Sequence, residues 1–181
     1  MLFAVELYFD NSSKESFLDL WKVISNNGLQ TINDGISQPH ITLGVWNTLD
    51  SIKAREQLVS FAKSITPFDV DFASIGIFTA DKQNPNNGSV LYLAPVVTQE
   101  LLETHKNFHD RNPSFGQGPW EHYSPGSWVP HSTIGLELNQ KQLVESLKIC
   151  LDFKFQIKVK VESIGLIEYQ PAKLHCQIPI A

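Results

Sequence analysis

The chain has 181 residues, 42% apolar and 18% charged, so it can bury a sizeable core in one domain or two small packed lobes and is not a disordered chain. A net charge of −5 and an isoelectric point near 5.6 exclude a protein that grips long nucleic acid through a broad basic surface, while a small anionic substrate held by a few donors stays compatible. Two cysteines, Cys150 and Cys176, make no disulfide framework, no segment is apolar for the length of a membrane span, and the N-terminus lacks a basic leader, so the reading is a soluble cytoplasmic protein with no membrane partner.

Leu2 to Phe9 is dense in apolar and aromatic residues and predicts a strand. Asn11, Ser12 and Ser13 offer cap oxygens to a helix with Phe17, Leu20, Trp21 and Ile24 at helical spacing, ending near Gly28. That spacing assigns Trp21 to the core. A strand over about 38–46 holds Gln38-Pro39-His40-Ile41-Thr42-Leu43-Gly44. Asn47 to Asp50 supply turn and cap chemistry for a second helix bearing Ile52, Leu58, Val59 and Ala62, which closes near Pro67. Phe68, Val70 and Phe72 then start a strand that runs on through Ser74-Ile75-Gly76-Ile77-Phe78. Asp81 to Gly88, with Asn84-Pro85-Asn86-Asn87-Gly88, is the clearest turn signal.

The second half keeps this order. Val90 to Ala94 reads as a strand, and Thr98 to about Phe108 as a helix with Leu101, Leu102, His105 and Phe108 at helical spacing. Residues 110–128 form a long connection rich in Gly and Pro. It leads into a second motif strand, about 129–138, which reads Val129-Pro130-His131-Ser132-Thr133-Ile134-Gly135. Leu143, Val144 and Leu147 mark another helix. Phe153, Phe155, Ile157, Val159 and Val161 alternate as a strand continuing through Ser163-Ile164-Gly165-Leu166-Ile167, and Lys173 to Ile180 follows the Gln170-Pro171 turn as a last strand.

Two patterns therefore recur. Pro-His-x-Thr-(Leu/Ile)-Gly returns ninety-one residues on, and Ser-Ile-Gly-(Ile/Leu)-(Phe/Ile) begins 34 and 32 residues after the respective histidines. The repetition predicts one bilobal domain over 1–181, with internal repeats at approximately 1–80 and 88–168 and the strand 173–180 returning to the N-terminal lobe. Helices on mainly antiparallel sheets make the class α+β. A pseudo-two-fold axis would set the motif strands opposite one another at a central cleft, the default place for a ligand.

Side chains two apart on a strand share a face, so each His stands beside its Thr. One such His is ordinarily a structural residue, but packing does not require the same polar pair at the same offset in two apolar strands. Two imidazoles can hold opposite protonation states near neutral pH. One can take a proton from water and the other give one to a leaving oxygen, while two threonine hydroxyls donate to the non-bridging oxygens of a phosphodiester. This chemistry needs no metal and no other cofactor.

The paired motifs in a duplicated α+β chain of this size resemble the 2H phosphoesterase superfamily, which includes the 2′-5′ RNA ligase-like proteins and the 2′,3′-cyclic nucleotide phosphodiesterases. The pattern His-x-(Thr/Ser)-x with an apolar fourth residue is met by His40, Thr42, Leu43 and by His131, Thr133, Ile134. The resemblance implies a bilobal fold with two mainly antiparallel sheets, flanking helices, and both motifs facing a central cleft. It implies that His40, Thr42, His131 and Thr133 are catalytic in metal-independent opening of 2′,3′-cyclic phosphate ends or attack on 2′-5′ linkages. The partner would be a small nucleotide or an RNA terminus and the protein a monomer. The alternatives are a nucleotide-binding module without efficient catalysis, and RNA ligation.

Softer candidates complete the reading. In the connection before the second motif, Tyr123 and Trp128 either stack on a substrate base or anchor the loop. Trp46 shares the parity of His40 and Thr42 but lies about 20 Å along the strand from His40, which makes it a rim or packing residue. His105 and His109, four apart on a helix with His122 beyond, have a spacing that can hold a metal, but without a His-Glu-x-x-His pattern a partly exposed helix face is the better reading. His175 reads as structural, and Lys173 and Arg111 as solvated charges able to touch phosphate. Gly44 and Gly135 point to close backbone approach or a bulge beside each motif.

Overall fold

The computed structural model describes residues 2–32, 34–80, 88–113, 115–153, 157–169 and 171–181. Most of the expected central turn, 81–87, lies outside the described residues, as do Phe155 and Gln170. Among the described residues seven strands and four α-helices follow in the order β1 (Leu2–Phe9), α1 (Asn11–Asn26), β2 (His40–Trp46), α2 (Ser51–Ala62), β3 (Phe68–Phe78), β4 (Ser89–Pro95), α3 (Gln99–Arg111), β5 (Ser132–Leu138), α4 (Gln140–Asp152), β6 (Ile157–Tyr169) and β7 (Lys173–Pro179). Among the described residues no helix is long and apolar enough to cross a membrane.

Each helix starts at a polar residue that takes over its free N–H groups. Asp10, rather than the Asn11–Ser13 run, caps α1: its carboxylate accepts from the backbone N–H of Ser12 and Ser13, and an anion suits the positive end of the helix. Asp50 and Thr98 do the same for α2 and α3, and Asn139 with Gln142 forms a capping box on α4. Gly28 ends α1 at φ 71°, the left-handed conformation a helix terminus uses. Along β1 the alternation divides the chain cleanly. Phe3, Val5, Leu7 and Phe9 enter the core with Phe17, Leu20, Trp21 and Ile24 of α1, and Leu2, Ala4, Glu6 and Tyr8 take the opposite face.

All strand pairs are antiparallel, in the order β2-β1-β6-β3-β4-β5, with β7 on β6. The two expected sheets are continuous. Phe68–Phe72 of β3 pairs with Ile157–Val161 of β6, and both strands then run on, β3 to pair with β4 and β6 with β1 and β7. The two end strands of this network, β2 and β5, come back into contact. The sheet thus curls until its two motif-bearing edges meet.

The repeated Ser-Ile-Gly has a packing cause. Gly76 lies opposite Tyr92, and a Cβ on it would fall 2.2 Å from that ring; a Cβ on Gly165 would fall 2.5 Å from the ring of Tyr8. In each half a tyrosine ring lies on bare strand backbone, which only glycine permits.

Both motif strands carry a bulge at the same position. β2 skips Leu43 between Val5 opposite Gly44 and Glu6 opposite Thr42, and β5 skips Ile134 between Leu91 opposite Gly135 and Tyr92 opposite Thr133. An extra residue reverses the alternation beyond it. Val45 therefore turns to the face of His40 and Thr42. Trp46 enters the core against Phe108 and Phe115, so its simple parity with His40 does not hold.

Candidate active site

His40 opens β2 and His131 immediately precedes β5, a slightly later start than the alternation suggests. Pro39 and Pro130 have no N–H to give to a ladder, so pairing begins at or after the histidine. Each ring then folds back on its own strand. Nδ1 of His40 lies 2.6 Å from the Gln38 carbonyl and Nδ1 of His131 2.7 Å from the Val129 carbonyl. A carbonyl only accepts, so in both rings Nδ1 carries a proton and Nε2 is the atom left for chemistry.

His40, Thr42, His131 and Thr133 line a single hollow of about 530 Å³ together with Tyr123, Tyr169, Ala4 and Val45. The first pair is buried, the second half-buried. The bulges leave strand carbonyls unpaired, and side chains from the opposite half satisfy them. The Trp128 indole donates to the Thr42 carbonyl (2.9 Å) and His109 Nε2 to that of Leu43 (2.9 Å). In the other half the Trp21 indole donates to the Thr133 carbonyl (3.0 Å) and the Thr31 hydroxyl to that of Ile134 (2.8 Å). Each half braces the other's motif.

The surroundings of the two imidazoles differ. His40 Nε2 lies 3.4 Å from Oε1 of Glu6, a carboxylate with no exposed surface. The Tyr169 hydroxyl donates to the same oxygen, and Oε2 has no partner among the described residues. Burial first, then the Glu6 charge, push the Tyr8 and Tyr169 phenols far above their ordinary range, so both remain donors. The same two causes raise Tyr123 to about 12. His131 instead sits among rings: Phe78 edge-on at 4.9 Å, Tyr92 at 5.2 Å and Tyr123 at 6.3 Å. Desolvation there pushes it down to about 4, with the neighbouring His40 adding in the same direction and the Val129 carbonyl opposing.

His131 also borders a second hollow of about 480 Å³, walled by Phe78, Trp120, His122, Tyr123 and Val129. Trp120 is 42% exposed yet held at both ends: its backbone N–H donates to the Val45 carbonyl (2.8 Å) and its indole to Asn47 Oδ1 (3.1 Å).

Of the two aromatic candidates in the connection, Tyr123 borders both hollows. Trp128 borders neither: it stands behind Thr42, with one ring face stacked on His105 at 3.9 Å and 6°. The partly exposed helix face expected for His105 and His109 holds for His109, which is half-buried, but not for His105. His105 is buried with Nε2 3.0 Å from the Tyr123 carbonyl, and His109 holds Leu43, so the pair ties α3 and the connection to the back of the first motif. Burial lowers both, His105 to about 4. Among the described residues no three His, Cys, Asp or Glu side chains gather as a ligand set. His175 pairs with Glu168 (2.8 Å), and Lys173 and Arg111 are exposed and border neither hollow. Glu6, Tyr8, Tyr169, Phe78, Tyr92 and Trp120 were not singled out by sequence reasoning. For Glu6 a signal existed: an acid on the non-core face of a strand whose other residues are apolar or aromatic.

Residues 25–173 match the family model described as the 2′-5′ RNA ligase superfamily. No curated protein sequence matches the chain. Solved structures share the fold at low identity. TT0787 of Thermus thermophilus superposes with a TM-score of 0.64 at 14% identity, covering 99% of this chain and 98% of its own. Escherichia coli LigT in apo form gives 0.62 at 11% identity, with 99% and 97% covered. Kluyveromyces marxianus Usb1 gives 0.52 at 8% identity, with 99% and 98% covered. LigT has also been solved with 3′-AMP and with NADP+, and Usb1 with uridine monophosphate.

Proposed function

The chain belongs to the 2′-5′ RNA ligase superfamily, and from that premise and the shape of the cleft we propose that it is a metal-independent phosphoesterase opening 2′,3′-cyclic phosphate or 2′-5′ linked nucleotides and RNA ends. The observation that carries this reading is the convergence of His40, Thr42, His131 and Thr133 on one hollow, with both Nδ1 atoms tied to carbonyls and both Nε2 atoms left for proton transfer.

A phosphodiester seated between the motifs would receive hydrogen bonds from the Thr42 and Thr133 hydroxyls on its non-bridging oxygens, where charge accumulates as water attacks. One Nε2 takes the proton of the attacking water while the other protonates the departing ribose oxygen. Each transfer contributes on the order of 10²–10⁴ in rate. The phosphate's own negative charge raises a depressed imidazole such as His131 toward the working range of a base once substrate is bound. The aromatic hollow beside His131 suits a nucleobase, with Tyr123 and the fixed ring of Trp120 as stacking surfaces. A nucleotide ligand is also what the LigT and Usb1 complexes hold.

The test is turnover of a panel of 2′,3′-cyclic mononucleotides, cyclic-ended oligonucleotides and 2′-5′ dinucleotides in excess EDTA, with H40A and H131A as controls. Activity that survives EDTA and disappears in both variants is the expected result. Wild-type rates in both variants, or loss on chelation, would contradict it.

A further inference from the structure

The two halves place different residues at equivalent positions beneath their motif threonines. Glu6 lies opposite Thr42 on one side and Gly165 on the other; Tyr92 lies opposite Thr133 and Gly76. A repeat that otherwise matches down to its bulged residue thus carries a carboxylate on one side alone. Resting on the phosphoesterase reading above, we propose that Glu6 is a positioning residue that acts through His40, making the first motif the proton donor to the leaving oxygen and the second motif the proton acceptor from water.

Burying a carboxylate is costly unless a partner compensates it. Among the described residues neither Lys nor Arg forms an ion pair with Glu6; its partner is His40. The other titratable groups about this pair are Tyr169, whose hydroxyl donates to the carboxylate, Tyr8 and the Cys176 thiol beside it, Tyr123, His131 near His40, and Asp34 on the wall of the same hollow. Both nitrogens of the His40 ring face oxygen acceptors, Nδ1 the Gln38 carbonyl at 2.6 Å and Nε2 the Glu6 carboxylate at 3.4 Å, so a proton delivered to Nε2 meets a negative charge there. At 3.4 Å the Glu6 contact is long, so the Nε2 proton remains free to turn to an oxygen entering the cleft. His131 is packed among aromatic rings and, among the described residues, forms no ion pair with a carboxylate, and it enters the reaction as the acceptor.

The step balances. The water oxygen bonds to phosphorus as the bond from phosphorus to the ribose oxygen breaks. The water proton goes to His131, the His40 Nε2 proton goes to the leaving oxygen, and Glu6 remains a carboxylate throughout. The rings then exchange protons with solvent and return to their starting forms.

E6Q keeps the shape and an acceptor for Tyr169 while removing the charge. Two substrates are compared on the same enzyme sample, so any loss of folded protein cancels in the ratio. One is a 2′,3′-cyclic nucleotide, whose ribose oxygen needs a proton to leave; the other is a nucleoside p-nitrophenyl phosphodiester, whose phenolate does not. The expected result is a fall in kcat of about 10²-fold on the cyclic substrate, a much smaller fall on the activated ester, and a KM for the cyclic substrate that is unchanged or lower because a negative charge has left the phosphate's surroundings. E6D, which restores the charge one methylene short, is expected to recover part of the cyclic-substrate rate. Equal losses on both substrates, an E6D variant worse than E6Q, or an E6Q variant as active as wild type on the cyclic substrate each overturn the role of Glu6. A wild-type enzyme inactive on both substrates overturns the phosphoesterase reading instead.

Discussion

The two motif strands are alike in backbone and unlike in surroundings. Each starts just after a proline, ties its Nδ1 to the carbonyl two residues back, bulges at the fourth motif position, and has its freed carbonyls capped by an indole and a second side chain from the other half. Yet His40 faces a buried carboxylate that also accepts from the Tyr169 hydroxyl, whereas His131 sits in a nest of aromatic rings beside a second, apolar hollow. On the proposed function, a symmetric backbone with an asymmetric lining would give two like imidazoles two different proton-transfer roles.

The largest expected effect tests what the halves share. H40A and H131A should each lower kcat on a 2′,3′-cyclic nucleotide by on the order of 10²–10⁴ while thermal unfolding stays cooperative, and the double variant should be no worse than the poorer single, as for groups that act as a unit. Full multiplication of the two losses would mean that the halves work independently.

Acid stability comes next, and it sets the second half apart from the first. His105 is buried and its folded pKa is about 4 against an ordinary 6.5, so the unfolded chain binds a proton that the folded chain refuses. Stability is therefore full above about pH 6.5 and falls as pH drops toward 4, by on the order of 3 kcal/mol for His105 alone. His109 and His131, also lowered, add to the fall in the same direction. Denaturant unfolding between pH 7.5 and 4.5 measures this, and a flat profile would contradict it.

Smaller effects probe the repeated packing. G76A and G165A each drive a methyl into a tyrosine ring and should each cost about 1–3 kcal/mol, with little difference between them. W21F and W128F each remove one indole-to-carbonyl bond at a motif threonine and should each cost about 1 kcal/mol in the same denaturant experiment. A variant of either pair that proves neutral would show that its half is not braced as its counterpart is.

Much of this was legible in the chain. The His-x-Thr pair announces itself by repetition, the helices by periodicity and Gly28 by its place past the last apolar turn. What stayed hidden depends on long-range pairing. The bulges at Leu43 and Ile134 cannot be read from a strand in isolation, and they reverse the faces of Val45 and Trp46. His105 and His109 look like a surface pair because the carbonyls they hold, on Tyr123 and Leu43, are 18 and 66 residues away. Glu6 was visible as an acid within an apolar run, but its meaning comes from a neighbour, His40, that only the fold supplies.

A crystal structure with a nucleoside vanadate bound, which mimics phosphorus in mid-transfer, tests most directly whether two halves serve one reacting atom. Nε2 of His40 and of His131 should stand on opposite sides of a single vanadium, each within about 3 Å of one of its oxygens, with both threonine hydroxyls on the remaining oxygens. Vanadate held by one motif alone, with the other imidazole turned to a different hollow, would contradict that convergence and leave only a repeated fold.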